Sequence, residues 1–370
     1  MSAFLANLRL QSFRNYAALD LPLEPGVSLF VGRNGQGKSN VLEAVCYLAL
    51  LRSFRTQTTV VLRQWNASGF GIEGELGAAD PLDRHTLTVQ SFERRSLRLD
   101  GKPVERASDF INQFHCVPLV PEDIELIRGP ARERRRFLDI LCSQVRPGYL
   151  RHLQAHHEAV RSRNAILRAG DSYPAHALAA YDEVLIEHGA EIELGRNWLA
   201  ERLNVHLAVL AEQLFTNGTK RLGLEYSSFG GGATEHADLV AAYRDELARS
   251  RSRDVREGRT CVGPHLANLG IHLAGRPVAR YGSEGECRLT ALALRLASLA
   301  VIREPAVSDH AVVLLVDDVY GELDSARREA FFHCVSVADQ TLITATEHPA
   351  ELPAEGVRVF HVQAGEIHVR

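Results

Sequence analysis

The chain has 370 residues, 45% of them hydrophobic and 24% charged, which is the composition of a soluble globular protein with room for two cores. Its formal net charge of −4 excludes a uniformly basic molecule, so any nucleic-acid surface has to be a local patch. No apolar run approaches the roughly 18 residues of a membrane span, no signal-like segment opens the chain, and the six scattered cysteines form no C-x-x-C pair, so a reduced, cytoplasmic protein is expected.

Residues 4–31 predict an opening β-hairpin, Phe4 to Phe13 and Leu19 to Leu23 around a turn at Arg14-Asn15-Tyr16, followed by a strand from Val27 to Val31. That last strand runs into Gly32-Arg33-Asn34-Gly35-Gln36-Gly37-Lys38-Ser39-Asn40, and Val41, Leu42, Val45, Leu48 and Leu51 then recur as on a helix. Strand, G-x-x-x-x-G-K-S loop and helix together are the context a P-loop requires. Backbone N–H groups from Gly32 to Asn40 would cradle the β-phosphate of ATP. Lys38 would reach the β/γ-phosphates and Ser39 would ligate Mg²⁺. Arg52 and Arg55 follow the helix; they either complement its dipole or reach phosphates or DNA.

Residues 69–104 alternate as an antiparallel meander laid against the P-loop sheet. A short strand from Val117 to Val120 ends in Pro121-Glu122-Asp123, an acidic loop that either faces the Mg²⁺ water or caps a helix. Helical patterns then cover 124–145, 149–168 and 178–215, the last with a seam of Tyr181, Leu185, His188, Ile192, Gly195, Leu199, Leu203, Leu207, Leu210 and Leu214. Arg128, Arg132, Arg134, Arg135 and Arg136 crowd the start of this arm, as either a solvated helix face or a phosphate contact. A strand from Arg221 to Tyr226, a helix from Asp238 to Ala248 and a charged loop from Ser250 to Arg259 complete the insert. The sheet is expected to resume at Thr260-Cys261-Val262-Gly263-Pro264-His265 and at Leu269 to Leu273.

Tyr281-Gly282-Ser283-Glu284-Gly285-Glu286 opens a helix from Cys287 to Arg303. In isolation Ser283 is an ordinary N-cap; about 30 residues ahead of a Walker B strand, Ser283-x-Gly285 looks like an ABC signature. That strand is Val312-Val313-Leu314-Leu315-Val316-Asp317, which lies 279 residues beyond Lys38, so the ATPase fold is interrupted by something large. Asp317 would hold Mg²⁺ and Asp318 would orient the attacking water.

Taken together, Phe13-Arg14-Asn15-Tyr16, the P-loop with Leu42-Glu43-Ala44, Arg52-Ser53-Phe54-Arg55-Thr56, Pro121-Glu122-Asp123, Arg134-Arg135-Arg136-Phe137-Leu138-Asp139, Gly263-Pro264-His265, Ser283-x-Gly285 and Leu315-Val316-Asp317-Asp318-Val319 resemble the RecF family of the ABC/SMC ATPase group over nearly the whole chain. The resemblance implies an α/β fold: an ABC/SMC-type P-loop head with a mixed sheet, interrupted by a mostly helical arm. The expected division is 1–123, head; 124–258, arm; and 259–370, head. It further implies a homodimer that closes on ATP, with Ser283 and Gly285 acting in trans on the nucleotide at the partner's Lys38. Hydrolysis would be slow and DNA-stimulated, and DNA would be contacted by Arg55, Arg132, Arg134, Arg135 and Arg136. By the same resemblance the chain works at gaps and single-/double-strand junctions, with RecO and RecR, to assist RecA loading.

The chain departs from the family pattern at Leu266-Ala267-Asn268, at Glu286-Cys287, at Gly321 before Glu322-Leu323-Asp324, and at Glu347-His348, where either residue fills the switch position. An ABC ATPase driving a membrane partner would predict a Leu-Ser-Gly-Gly-type signature, which is not evident. A small-molecule kinase leaves Ser283 unexplained, and a non-hydrolysing ATP-sensing clamp reads alike in sequence.

Overall fold

The structure is a computed structural model that describes residues 4–77, 84–169, 175–215, 220–307, 310–319, 331, 338–349 and 356–369. It divides into two compact units, 1–123 with 292–370, and 124–291. The first boundary coincides with the change to helical composition at 124. The second falls at 292, where 259 was expected, because the segment after 259 pairs within the second unit.

The first unit begins with β1 (Phe4–Phe13), β2 (Tyr16–Pro22), β3 (Gly26–Val31) and α1 (Lys38–Leu50). It continues with β4 (Phe70–Gly77), β5 (His85–Ser91), β6 (Arg95–Leu99), β7 (Lys102–Pro103), α2 (Ala107–Phe110) and β8 (His115–Leu119). β1 and β2 form the expected hairpin, and the meander joins it in an antiparallel sheet of order β2-β1-β4-β5-β6-β7. β3 leaves this sheet, because its residues Ser28, Leu29 and Phe30 are buried on both faces, as a parallel strand requires.

In the second unit, α3 (Ile124–Arg128) and α4 (Ala131–Val145) break at Gly129-Pro130, and α5 (Tyr149–Ala169) and α6 (Ala175–Leu214) follow. α6 runs 40 residues, about 60 Å. Its seam does not project alone: Leu185, Ile192, Leu199, Leu203, Leu207 and Leu214 are buried, with α5, α7 (His236–Glu257) and β9 (Leu222–Ser227) packed along the helix. The expected charged loop from Ser250 to Arg259 is instead the end of α7; Ser250 and Asp254 are buried on one face, and Gly258 in the left-handed region stops the helix. Thr260–His265 is likewise not a strand, since Gly263-Pro264 turns it into a 3₁₀ segment. β10 (Asn268–Leu273) pairs with β9 and β11 (Arg276–Pro277) in a sheet of the second unit, correcting the expectation that the head sheet resumes here. α8 (Val278–Tyr281) and α9 (Glu284–Ile302) follow, α9 carrying the chain back across the boundary into the first unit.

The first unit closes with β12 (Val312–Asp317), β13 (Gln340–Ala345), β14 (Val357–Gln363) and β15 (Glu366–Val369). Their sheet runs β15-β14-β3-β13-β12-β8, parallel except for β15. α1, buried almost all round, packs against strands of both sheets of this unit. The carboxyl ends of β3, β12 and β13 therefore lie side by side at the start of α1, where ligands bind in open α/β sheets. Gly321 and Glu322-Leu323-Asp324 lie outside the described residues.

Candidate functional site

β3 delivers the chain into the loop, and three hydrogen bonds hold the loop in shape. Asn15 Nδ2 donates to the Gln36 carbonyl (2.9 Å), Tyr16 O–H to the Gly37 carbonyl (3.1 Å), and the Ala364 N–H to Gln36 Oε1 (2.8 Å). Gly37 sits at φ 117°, and a Cβ there would press into the Asn15 amide. Gly32 is required by close approach: a Cβ would collide with the Val362 carbonyl of β14. Arg33, Asn34 and Gly35 form the exposed crest of the loop, and Asn40 is tied to Asn15 Oδ1 at 2.7 Å.

Lys38 donates to the carbonyls of Gly32 (2.6 Å) and Arg33 (3.0 Å), so its ammonium is folded across the loop mouth. Burial lowers its pKa, and the nearby carboxylates of Asp318 and Asp317 oppose that shift. Ser39 Oγ donates to Asp317 Oδ1 at 2.7 Å, and Thr344 Oγ1, on β13, donates to the same oxygen at 2.8 Å. Asp318, one step past β12, turns out at φ 53° and is exposed, its N–H bonded to Thr344 Oγ1 at 3.0 Å. The structure thus brings Lys38, Ser39, Asp317 and Asp318 together from opposite ends of the chain.

The donor set fits Mg²⁺. A hydroxyl and one carboxylate are hard oxygen ligands, and Mg²⁺ takes few protein ligands, completing its shell with water and phosphate. Among the described residues no cluster of three or more His, Cys, Asp or Glu competes as a metal site.

A family model of the RecF/RecN/SMC N-terminal domain matches residues 4–368. The DNA replication and repair protein RecF of Streptococcus suis is 32% identical over 98% of this chain and 99% of its own, and that of Frankia alni is 35% identical over 98% of each. The chain belongs to the RecF family. Among solved structures, the recombination mediator protein RecF with ATP, in the RecFOR pathway, superposes with a TM-score of 0.90 at 27% identity, covering 100% of this chain and 98% of that one. An Smc head bound to the C-winged helix domain of ScpA, at 16% identity and TM-score 0.55, shares the fold, covering 99% of this chain and 97% of that one. The fold is that of the ABC/SMC-type ATPase head.

Other residues of the RecF-like pattern acquire places that the sequence did not announce. Glu43, in the second turn of α1, is fully buried and holds Arg14 through two hydrogen bonds (2.8 and 2.6 Å). Ser53 O–H donates to the same carboxylate, and Arg55 lies 3.9 Å from it while donating to Asn40 Oδ1 at 3.0 Å. Arg55 thus touches the first turn of the P-loop helix. Asp123, just ahead of α3, accepts from the Val120 N–H and from Arg295. Of the switch candidates, Glu347 is exposed and His348 Nδ1 sits 2.9 Å from the Pro349 carbonyl.

In the second unit, Ser283 and Glu286 form a capping box: the Ser283 N–H donates to Glu286 Oε2 (2.8 Å) and the Glu286 N–H to Ser283 Oγ (3.3 Å). Lys220 pairs with Glu286, and together these donors push its carboxyl down to about 2. Gly285 has open space where a side chain would stand. The arginine cluster divides. Arg134 donates to Asn268 Oδ1 and the Gly129 carbonyl, and Arg135 to the Ala267 carbonyl, both half-buried with lowered pKa from desolvation. Arg132 is exposed beside Glu133 (3.0 Å), and Arg136 lies 3.8 Å from the same carboxylate.

Proposed function

We propose that this chain is an ATP-dependent, DNA-binding recombination mediator that acts at gaps and single-/double-strand junctions and, with RecO and RecR, assists RecA loading. ATP binds at the loop of residues 32–40, with Lys38 on the β/γ-phosphates. Ser39 and Asp317 would hold Mg²⁺, which would supply charge neutralisation at the phosphate oxygens. Asp318 orients water, and Ser283 with Gly285 completes the site from the second subunit of an ATP-closed homodimer. Hydrolysis is slow, DNA-stimulated and times release.

The observation that carries this reading is the Ser39–Asp317 hydrogen bond beside Lys38, built by a chain that aligns end to end with RecF proteins. The test is light scattering with and without ATP, on wild type and Lys38→Met, with gapped DNA added in parallel. ATP should double the mass of wild type alone and tighten its hold on gapped DNA. A wild type that stays monomeric with ATP, or ignores gapped DNA, would overturn the reading.

A further inference from the structure

Trp65 is 89% exposed, an unusual position for a large aromatic ring. It stands on a turn fixed by the Ala67 N–H bonded to the Gln64 carbonyl (3.1 Å), with Asn66 in the left-handed region at φ 67°. The Gln64 N–H donates to the Ser12 carbonyl (2.7 Å), and Arg63 bridges to Phe13, so the turn is clamped to the end of β1. Phe13 packs edge-on against Phe70 at 5.5 Å, at the start of β4; Phe70 pairs with Ser91, and the exposed Phe92 ring leans on Gly69. Trp65 and Phe92 therefore emerge at the same end of the first antiparallel sheet.

The charge in the segments that carry these rings is mostly of one sign. No carboxylate occurs between Glu43 and Glu73, a stretch that carries Arg52, Arg55 and Arg63. Arg94 and Arg95 follow Phe92 in the β5–β6 turn, with Glu93 the single acid there. The same segment is wired to the nucleotide loop: Arg14 donates to the Val61 carbonyl (2.9 Å) and grips Glu43, while Arg55 bonds Asn40.

We propose that this sheet end is a contact site for single-stranded DNA, with Trp65 as the stacking platform. Base faces stack on exposed aromatic rings whatever their sequence, and guanidiniums track the phosphates between them; a duplex keeps its base faces inside and offers only phosphates. The Arg14–Glu43 and Arg55–Asn40 hydrogen bonds give strand binding a direct path to the P-loop. The proposal rests on the DNA-binding reading above and adds which strand form is recognised, and by what.

The test uses the full chain with ATP, a dT oligonucleotide and a hairpin duplex of equal phosphate count. Trp65→Ala should weaken oligonucleotide binding roughly 5- to 150-fold, the range expected for removing one base stack, and leave duplex binding nearly unchanged. Trp65→Phe should restore most of the loss. In a Trp198→Phe background Trp65 is the sole tryptophan, and its emission should be quenched by the oligonucleotide. Trp65→Ala should keep its ATPase rate without DNA and lose part of the single-strand stimulation. Equal losses on both DNA forms, no loss on either, or emission that moves with anionic lipid vesicles and not with dT would each overturn the proposal. A wild type that binds no DNA at all sinks the wider reading; a wild type that binds gapped DNA with Trp65→Ala binding dT equally sinks only this one.

Discussion

At the scale of single residues the site separates binding from turnover. By the proposed function Lys38→Met removes the cation that meets the β/γ-phosphates, so nucleotide binding should fall at least tenfold in a fluorescent-ATP titration. Asp318→Asn keeps Lys38, Ser39 and Asp317, and should bind ATP normally while turnover drops about 100-fold; a wild-type single-turnover rate would remove Asp318 from its water-orienting role. A second residue-scale expectation concerns pH. His265 is half-buried near His156, His157, Tyr243, Arg135 and Arg196, its Nε2 3.2 Å from the Thr260 carbonyl and its Nδ1 without a hydrogen-bond partner. Burial first, then the neighbouring cations, holds its pKa down to about 4. The unfolded chain, with an ordinary histidine near 6.5, binds more protons between pH 6.5 and 4, so stability rises with pH in that window and is lost on acidification. The loss at pH 5 is on the order of 2 kcal/mol, with His156 shifting the same way. His265→Asn should flatten the difference between melting at pH 7 and at pH 5; an unchanged slope would place the acid sensitivity elsewhere. Lys38, Ser39 and Asp317 are legible in the sequence because phosphate chemistry fixes their spacing to strand, loop and helix. Glu43 and Thr344 are not, since a glutamate on a helix and a threonine in a strand look ordinary until their partners, distant in sequence, are seen.

At the scale of elements, periodicity reveals helices and strands well and partners poorly. The run from Val27 to Val31 follows a hairpin in sequence, yet its burial on both faces sends it into the parallel sheet, and alternation near a turn does not reveal that. The charge from Ser250 to Arg259 suggests a loop where α7 in fact ends, because its arginines are solvated while Ser250 and Asp254 face inward. Charge counted along a line cannot show which face it lies on. The arginine cluster of α4 makes the same point and carries a prediction. Arg134 and Arg135 hold the turn before β10 through Asn268 and Ala267, so the double alanine variant should lose about 2–4 kcal/mol by denaturant titration. Among the described residues Arg132 and Arg136 pair with Glu133, and their double alanine variant should fold like wild type. If they meet phosphates, the slope of log affinity against log salt on duplex should drop by up to about 1.8, near 0.9 for each phosphate no longer neutralised. An unchanged slope would return them to an ordinary solvated face.

At the scale of the whole molecule, the P-loop lies in the first compact unit and the Ser283 turn, the other half of the composite site by the proposed function, in the second. In that reading the two halves meet across a dimer, and the capping box bears on how. The Ser283 N–H and hydroxyl already bond Glu286, and Lys220 holds that carboxylate in turn. A γ-phosphate arriving from a partner must share the helix N-terminus with it or displace it. Ser283→Arg would keep its own Lys38 and Asp317 and so bind ATP, but a bulky side chain would fill the turn and block closure. Lys38→Met keeps a normal Ser283 but lacks a working loop. Neither variant alone should dimerise and hydrolyse. Their mixture can build one intact site per dimer, from the loop of the first and the signature of the second, so up to about half of the wild-type rate per dimer should return if the sites act independently. The measurement is ATPase rate against mixing ratio at constant total protein, with a maximum near equal proportions. A flat line near zero would mean that both sites must fire together; a Ser283→Arg protein that dimerised and hydrolysed normally by itself would show that the site is not shared, leaving Ser283 as the N-cap its hydrogen bonds already make it.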